Sequence, residues 1–436
     1  MKTTRFLVAV LLLGSVAAFA TNARVESMGK NTTFIMDDIS IFDNPANINL
    51  YPNFLIGELG NYASVPSDSL PKAGANHDPW DPWFGGIFSL KISADNSLAI
   101  AGVLNRKDER LFKYFPDYII YKDTNGKPVY VSAPVPVTNF DGFLGANFNN
   151  KAFGLHIYIA HQDGLSANNE ISKEAFVSAL QVDGGTNIEI SSDYSIEASG
   201  GFARIQFGST DHGFFDTDLF SAFARARLFS KVETINGHLI PAASVYNMNA
   251  PGIEDFTVNG GIGADAAFDR GFFWIGLNAF YNSQRAGDNW TRYKTGTAYE
   301  DKEGYTTPAG DITKLWQLGG TISFGIERNI WWDWFVLRVG GQKTIAYADY
   351  NAAKRTKDGV NSALCPTTQG CPESGNYFVS NPINDGTTGD NVGFGIGINI
   401  EEKLKIDATV AEDVVFRNPF QGEGRLISRI SASYSF

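Results

Sequence analysis

The sequence is poor in charged residues and has almost no long apolar run. Only 19% of its 436 residues are charged, whereas soluble domains usually carry roughly 25%. Its net charge of -12 argues against a nucleic acid as partner, because binding nucleic acid needs basic surfaces. Outside the N-terminus, no apolar run reaches the roughly 20 residues that a membrane-spanning helix needs. These shortages exclude a nucleic-acid-binding protein and a protein held in a membrane by helices.

Cysteine and the common catalytic motifs are also scarce. The two cysteines, Cys365 and Cys371, lie close together in a stretch rich in Gly, Pro and Asn. In an oxidising compartment we expect them to form a small-loop disulfide, with free thiols as the alternative. The sequence contains no P-loop, H-E-x-x-H or G-x-S-x-G motif and no clustered His and Cys ligands. We therefore expect no metal, no cofactor and no enzymatic activity.

The N-terminus has the pattern of an exported protein. Lys2 and Arg5 precede an apolar run over residues 6–17, and the triplet Ala18-Phe19-Ala20 follows. A basic region, an apolar region and an A-x-A site together predict a secretory signal peptide over residues 1–20, and a membrane anchor is the alternative.

Residues 426–436 alternate with the period of two that a β-strand imposes. One face carries apolar or aromatic residues and the other polar ones: Phe436, Tyr434, Ala432 and Ile430 against Ser435, Ser433, Ser431 and Arg429. A strand with one face for lipid and one for water is typical of a transmembrane barrel, in which the last strand pairs with the first. The terminal Phe436 resembles the signal that the barrel assembly machinery of the outer membrane reads.

Strand pairs joined by short polar turns follow from residue 54 onward, and long polar loops separate the pairs. Six turns are predicted on the periplasmic side, at residues 93–96, 149–151, 191–193, 269–270, 327–329 and 401–403. Long loops are predicted outside the cell, at residues 62–82, 106–136, 161–183, 282–313 and 351–390. The second of these loops is expected to contain a hairpin around Asn125-Gly126.

The pattern predicts an all-β fold, a transmembrane antiparallel up-and-down β-barrel of about fourteen strands over residues 53–436. Residues 218–246 leave the count open. If this stretch forms a hairpin at Asn236-Gly237 that crosses the membrane, the barrel has sixteen strands.

Residues 21–52, before the first strand, do not alternate. They contain A-R-x-x-x-M-G at residues 23–29 and D-D-x-S-x-F-x-N-P-A at residues 37–46. This combination resembles the FadL-like outer-membrane transporters and the PorV-like barrels of the type 9 secretion system. The resemblance implies that the segment folds into the barrel as a plug, or hatch, with the motif residues Asp37, Asp38, Asn44, Pro45 and Ala46. Alternatively, Asn44 and Pro45 only form a turn that leads into the first strand.

Several residues are candidates for contact with a ligand. Trp80 and Trp83 belong to an H-D-P-W-D-P-W stretch, which suits either capture of an apolar or sugar ligand at the outer rim or an aromatic belt at the membrane interface. Arg225 and Arg227 share a strand face that should point into the lumen, where they could select anions, pair with hatch acids such as Asp37 and Asp38, or be solvated. The alternation also places His156 and Arg429 in the lumen.

Adjacent glycines recur inside the predicted strands, at residues 85–86, 200–201, 260–261, 319–320 and 340–341. Glycines inside strands often mark bulges or sites where another part of the chain comes close to the backbone. We expect them to let the hatch approach the wall or to kink a strand, and ordinary packing is the alternative.

The resemblances imply two functions, and the barrel pattern leaves a third open. FadL-like barrels suggest passive transport of hydrophobic small molecules, PorV-like barrels suggest a scaffold for secreted proteins, and a general porin or structural surface barrel is the third reading. Each places the protein in the outer membrane of a Gram-negative-type bacterium, in contact with its lipid and lipopolysaccharide.

Overall fold

The computed structural model describes residues 22–61, 82–112, 114–116, 118–122, 128–136, 138–163, 175–209, 217–250, 253–287, 312–351, 375–379, 391–401, 403–410 and 427–436. The predicted signal peptide, Trp80, Cys365 and Cys371 lie outside these residues. The disulfide therefore remains a prediction.

Strands account for most of the described residues. They are β1 Phe54–Asn61, β2 Trp83–Lys91, β3 Asn96–Leu104, β4 Tyr118–Lys122, β5 Pro128–Ser132, β6 Thr138–Phe148, β7 Lys151–Asp163, β8 Ala175–Ser191, β9 Tyr194–Ser209, β10 Thr217–Val232, β11 Gly237–Ala250, β12 Ile253–Phe268, β13 Gly271–Gly287, β14 Ile312–Asn329, β15 Phe335–Asn351, β16 Gly375–Val379, β17 Asn391–Ile400, β18 Leu404–Val410 and β19 Ile427–Ser435.

Sixteen of these strands form a closed antiparallel barrel, in which each strand pairs with the next. The last strand closes the ring on the first, with Phe54 opposite Ser435 and Glu58 opposite Ser431. The pairing predicted for the final strand is thus confirmed. Of the other three, β4 and β5 pair with each other, as expected for the predicted hairpin, whose turn Asn125-Gly126 lies outside the described residues. Strand β16 pairs with the C-terminal part of β15.

Alternation of side chains explains why these segments form a barrel wall. Along β7, Phe153, Leu155 and Ile157 are exposed on the outside, whereas His156 and Tyr158 are fully buried on the inside. In the final strand, Tyr434 and Phe436 are exposed, and Ser431 and Ser433 are buried. A closed ring pairs the backbone groups of neighbouring strands without water, and the apolar exterior suits lipid, so the barrel is built to span a membrane.

The two ends of the barrel differ in their connections. At one end, called the turn end, seven turns of at most five residues join the strands, and Phe436 meets Asn53 there. The turn of Asn149 and Asn150 is typical, because both residues have positive φ, as tight hairpin turns between twisted strands require. The opposite end, called the loop end, carries the longer connections, apart from the two residues 251–252 that join β11 to β12.

The strand count is sixteen, the alternative given above, and not fourteen. The hairpin of β10 and β11 crosses the membrane, with its turn at Glu233–Ile235 and Asn236. Two other boundaries were predicted wrongly. The turn between β14 and β15 lies at residues 330–334, because residues 327–329 belong to β14. Most of the predicted loop 161–183 is strand, because β7 runs to Asp163 and β8 starts at Ala175.

Short helices complete the described structure. Helix α1 is Asn22–Ser27, helix α2 is Glu109–Phe112, and 3₁₀ helices lie at Asp38–Phe42 and Pro45–Leu50. Within the described ranges, no helix has both the length and the apolar character needed to cross a membrane.

Candidate functional site in the barrel lumen

The N-terminal residues 22–52 lie inside the barrel and are called the luminal segment. Helix α1 contacts β15, β17, β18 and β19, whereas the 3₁₀ helix Pro45–Leu50 contacts β3, β6, β7 and β8 on another part of the wall. Most side chains of the segment are buried. The segment therefore reaches across the lumen, as a plug would.

Asn44, Pro45 and Ala46 of the predicted hatch motif dock on a row of wall glycines. Gly145, Gly154 and Gly185 are direct neighbours across three strands. A Cβ on Gly154 would lie 2.2 Å from the Pro45 carbonyl, and a Cβ on Gly185 would overlap the side-chain oxygen of Asn44. Asn44 donates a hydrogen bond to the carbonyl of Thr186 and accepts one from the Ala46 amide, both at 3.1 Å. Glycine is needed here because the segment occupies the space of the missing side chains.

A second row of contacts fixes the other half of the luminal segment. The Phe34 ring packs on Gly263 and Gly276, which are cross-strand neighbours. Met28 packs in the same manner on Gly325 and Gly340. Gly340 belongs to one of the glycine pairs that are adjacent in sequence, and it contacts the segment in this way. Most of the glycines that contact the segment are instead neighbours across paired strands.

A buried ion-pair chain holds helix α1 on the wall. Arg24 donates two hydrogen bonds to Glu327, at 2.7 and 2.8 Å, and a longer one of 3.3 Å to Asp37. Arg338 donates one hydrogen bond to Glu327 at 3.0 Å and another to Asp407 at 2.6 Å, and so links these two carboxylates. Since removing charged groups from water is costly unless each is paired, this chain ties α1 to one position.

The motif acids Asp37 and Asp38 are both buried in the luminal segment. Burial raises the pKa of Asp38 well above its usual value, and the neighbouring charge of Asp37 raises it further. Burial also raises the pKa of Asp37, although Arg24 opposes the shift. Asp37 therefore pairs with Arg24 and not with a wall arginine as considered above.

Residues 105–112 and 114–116, which include α2, fold into the lumen from the loop end and are called the inner loop. Leu111, Phe112 and Phe115 are buried against apolar side chains that point inward from five strands. These wall residues are Tyr158, Ala160, Ala175, Val177, Ala179, Ala203, Ile205, Phe207, Leu219 and Met248. Barrel lumens are usually polar, so an apolar inner wall at the loop end is a distinctive feature.

Polar contacts fasten the inner loop to the wall as well. Tyr114 donates a 2.6 Å hydrogen bond to Asp255 on β12. Arg106 donates two hydrogen bonds to Asp141 on β6, at 2.6 and 3.1 Å, and its guanidinium lies 3.9 Å from the centre of the Phe42 ring. Through Phe42, the inner loop touches the luminal segment.

His156 lies in the lumen, as its alternation predicts, and is enclosed by carboxylates. Its Nε2 lies 2.9 Å from Asp141 and its Nδ1 lies 2.8 Å from Asp183. The ring also stacks on Phe143 at 4.3 Å. A ring whose two nitrogens both face acceptors is fixed in place, so His156 links β6, β7 and β8 behind the inner loop.

Arg225 and Arg227 point inward as expected, and each contacts the luminal segment. Arg225 pairs with Asp43 at 2.5 Å. Arg227 pairs with the wall residue Glu197 at 2.6 Å and donates to the carbonyls of the segment residues Thr32, Thr33 and Ile35.

The remaining predicted residues also lie at the luminal segment. Arg429 lies 3.2 Å from Glu26 of α1 and 3.3 Å from the wall residue Glu58. Trp83 is buried inside the barrel, with its ring edge-on to Phe42 at 6.0 Å. It therefore points away from lipid and the outer surface, and a part in ligand capture stays a prediction.

A cavity of about 260 Å³ remains between the luminal segment and the wall of β9 to β15. Most of the residues that line it are polar, among them Lys30, Asp43, Arg110, Arg225 and Arg227. Within the part of the chain that the structure describes, no cluster of His, Cys, Asp and Glu is suited to a metal ion.

No family model matches the chain, and no curated protein matches its sequence. Similar solved structures include a FadL homologue of Pseudomonas aeruginosa, 13% identical, with 95% of this chain and 98% of that chain covered and a TM-score of 0.36. The deltaS2 mutant of the TodX monoaromatic hydrocarbon channel is 10% identical, with 95% of this chain and 98% of that chain covered and a TM-score of 0.35. OmpT of Vibrio cholerae is 9% identical, with 87% of this chain and 96% of that chain covered and a TM-score of 0.31. Likeness at this level carries no argument about function, and the fold rests on the strand pairing described above.

Proposed function

We propose that the protein is an outer-membrane channel for the passive transport of small hydrophobic molecules, closed here by the luminal segment and the inner loop. The observation that carries the proposal is the apolar inner wall at the loop end. Val177, Ile205 and Met248 point into a lumen, where polar residues are usual. In this proposal the turn end faces the periplasm and the loop end faces outward.

The inner loop now covers this apolar wall. Burying one side chain such as Leu111 or Phe112 contributes about 1.5–3 kcal/mol, so an apolar solute that takes its place on the wall recovers a comparable free energy. A polar solute gains nothing there. The wall therefore favours hydrophobic cargo that displaces the inner loop.

The luminal segment is the second barrier on this route. It meets the inner loop at Phe42, where Arg106 covers the ring, so a shift of the loop removes a contact that helps to hold the segment. The 260 Å³ cavity beside the segment is smaller than most sites for drug-sized ligands. Passage requires the segment to move. A channel of this kind needs no catalytic residue, and the expectation that the protein is not an enzyme belongs to this proposal.

The test is uptake of an apolar fluorescent probe, N-phenylnaphthylamine, by Gram-negative cells that express the protein. The double variant Val177→Thr/Met248→Gln makes the inner wall polar. The matched control, Val258→Thr/Leu277→Gln, introduces the same two polar residues at apolar side chains that face outward. We expect expression to accelerate uptake and the first variant to abolish the gain at equal amounts of folded barrel in the membrane.

The control variant should keep the gain wherever it folds. Wild-type uptake no faster than in cells without the protein would contradict the proposal. Equal uptake by the wild type and the inner-wall variant would also contradict it, because the apolar wall would then have no part in transport.

A further inference from the structure

Three parts of the chain meet in the lumen at two consecutive residues, Phe42 and Asp43. Asp43 belongs to the luminal segment, and Arg225 on the wall strand β10 pairs with it at 2.5 Å. Arg110 of the inner loop donates a 3.3 Å hydrogen bond to the carbonyl of the preceding residue, Phe42. We call this group, Asp43 with Arg110 and Arg225, the junction.

The electrostatics of the junction depend on the two arginines. Burial acts to raise the pKa of Asp43, but the charges of Arg225 and Arg110 outweigh it, so the pKa is lowered. The carboxylate is therefore ionised at neutral pH. Its removal would leave Arg225 without an acidic partner among the described residues, whereas Arg110 would keep Asp108 at 3.1 Å.

The junction opens into the 260 Å³ cavity. The Arg225 and Asp43 side chains remain 30% and 24% exposed, although they form an ion pair. The cavity lining carries four cationic residues, Lys30, Arg110, Arg225 and Arg227, and two acidic ones, Asp43 and Glu197. A solute in the cavity can thus reach Arg225, and a negative charge on it is favoured.

Arg227, in contrast, is not available to a ligand. Glu197 and three backbone carbonyls of the luminal segment already surround its guanidinium. Of the two wall cations that line the cavity, Arg225 is the one whose acidic partner belongs to a segment that must move if the channel is to open. A ligand acid can take the place of Asp43 and leave the local charge unchanged.

The wall strands that follow β10, from β11 to β15, supply hydrogen-bonding groups to the cavity. Asn259, Asn278, Gln342, Thr321 and Ser244 all line it. Amide and hydroxyl side chains both donate and accept hydrogen bonds, which suits hydroxyl groups on a solute. The volume corresponds to roughly nine water molecules at about 30 Å³ each, so the solute must be small.

The geometry points to a binding site for a small polyhydroxy carboxylate, which displaces Asp43 from Arg225 and so releases the luminal segment from the wall. Such a ligand differs from the hydrophobic cargo proposed above, and it acts as a signal for opening. Its binding and the release of Asp43 are linked, because both carboxylates compete for the same guanidinium.

The test uses the full barrel refolded in detergent, with glucuronate as probe and glucose as its uncharged counterpart, in isothermal titration calorimetry. We expect glucuronate to bind and glucose to bind at least about tenfold more weakly. Arg225→Gln should weaken glucuronate binding at least about tenfold, and Asp43→Asn should strengthen it, because the competing carboxylate is gone. Arg204→Gln is the matched control, since Arg204 pairs with Asp218 on the exposed surface and its loss should change nothing.

Equal binding of glucose and glucuronate would overturn the inference, and so would unchanged binding by Arg225→Gln. If Asp43→Asn binds no more tightly than the wild type, the competition is absent and the inference fails. Hydrogen exchange gives a second readout: saturating glucuronate should speed exchange in residues 40–50 of the wild type but not of Arg225→Gln, and sulfate at equal ionic strength should not. These outcomes are independent of apolar probe uptake, so this inference and the proposed function can fail separately.

Discussion

Gly154 is the wall position where the smallest substitution should displace the luminal segment. A Cβ there would lie 2.2 Å from the carbonyl of Pro45, whereas ordinary contacts begin at 3.4 Å, so Gly154→Ala requires a movement of 3.4 − 2.2 = 1.2 Å. The atom in the way belongs to backbone, and no rotamer change relieves the clash. Overpacking of this kind costs about 1–3 kcal/mol, which raises the population of the displaced segment by roughly 5- to 150-fold.

Hydrogen exchange detects this displacement directly. The amide of Asn47 donates to the carbonyl of Asn44 at 3.0 Å, and its exchange rate should rise by the same factor as the open population. The matched control is Gly184→Ala on the neighbouring strand, where the nearest atom to a new Cβ is 3.7 Å away. If the two variants exchange residues 40–50 at the same rate, the docking of the segment on the glycine row has been misread.

Two further predictions concern charges at the luminal segment. Glu327→Gln removes the carboxylate that pairs with both Arg24 and Arg338, which costs about 3–5 kcal/mol. The backbone amides of helix α1 should then exchange hydrogen at least about 100-fold faster. The control Glu254→Gln, at an exposed carboxylate, should leave this exchange unchanged. Asp38 has a pKa raised above its usual value of 3.8, so its contribution to stability is present below that pH and is lost as pH rises through the raised pKa. Exchange of the wild-type segment should therefore speed up over that range relative to Asp38→Asn, and parallel pH profiles would contradict the assignment.

The sequence predicted the barrel because its pattern reports which face meets lipid. Strand β7 alternates between exposed residues, which are mostly apolar, and buried inward residues. Strands with this pattern could be predicted from the sequence. The first part of strand β8, residues 175–183, was predicted as loop, because its inward residues Ala175, Val177 and Ala179 are apolar like the outward Leu180. The alternation of polarity disappears where the lumen itself is apolar, so the feature that suggests the function also hid this part of the strand.

Contacts inside the lumen were harder to predict than the wall. The motif at residues 37–46 indicated a hatch, but which wall residues receive it depends on strand register. Gly154 and Gly185 are 31 positions apart in sequence and are neighbours only after β7 and β8 have paired. Adjacent glycines in the sequence were therefore a weaker signal than glycines adjacent across strands.

The partners of the inward arginines show the same limit. Alternation placed Arg225 and Arg227 in the lumen correctly, but it could not choose among the acids of the hatch. Arg225 meets Asp43, whereas Asp37 meets Arg24 of its own segment. The inner loop was not expected inside the barrel, because a loop sequence does not show which way the chain turns after leaving the wall.

The account rests on the claim that the luminal segment closes the barrel. Single-channel conductance in planar bilayers tests it most directly, with the intact protein compared with a variant that lacks residues 22–46. We predict that the intact protein is silent and that the deletion produces a steady pore. An intact protein that already conducts as an open channel would contradict the claim, and a general porin would then be the better description.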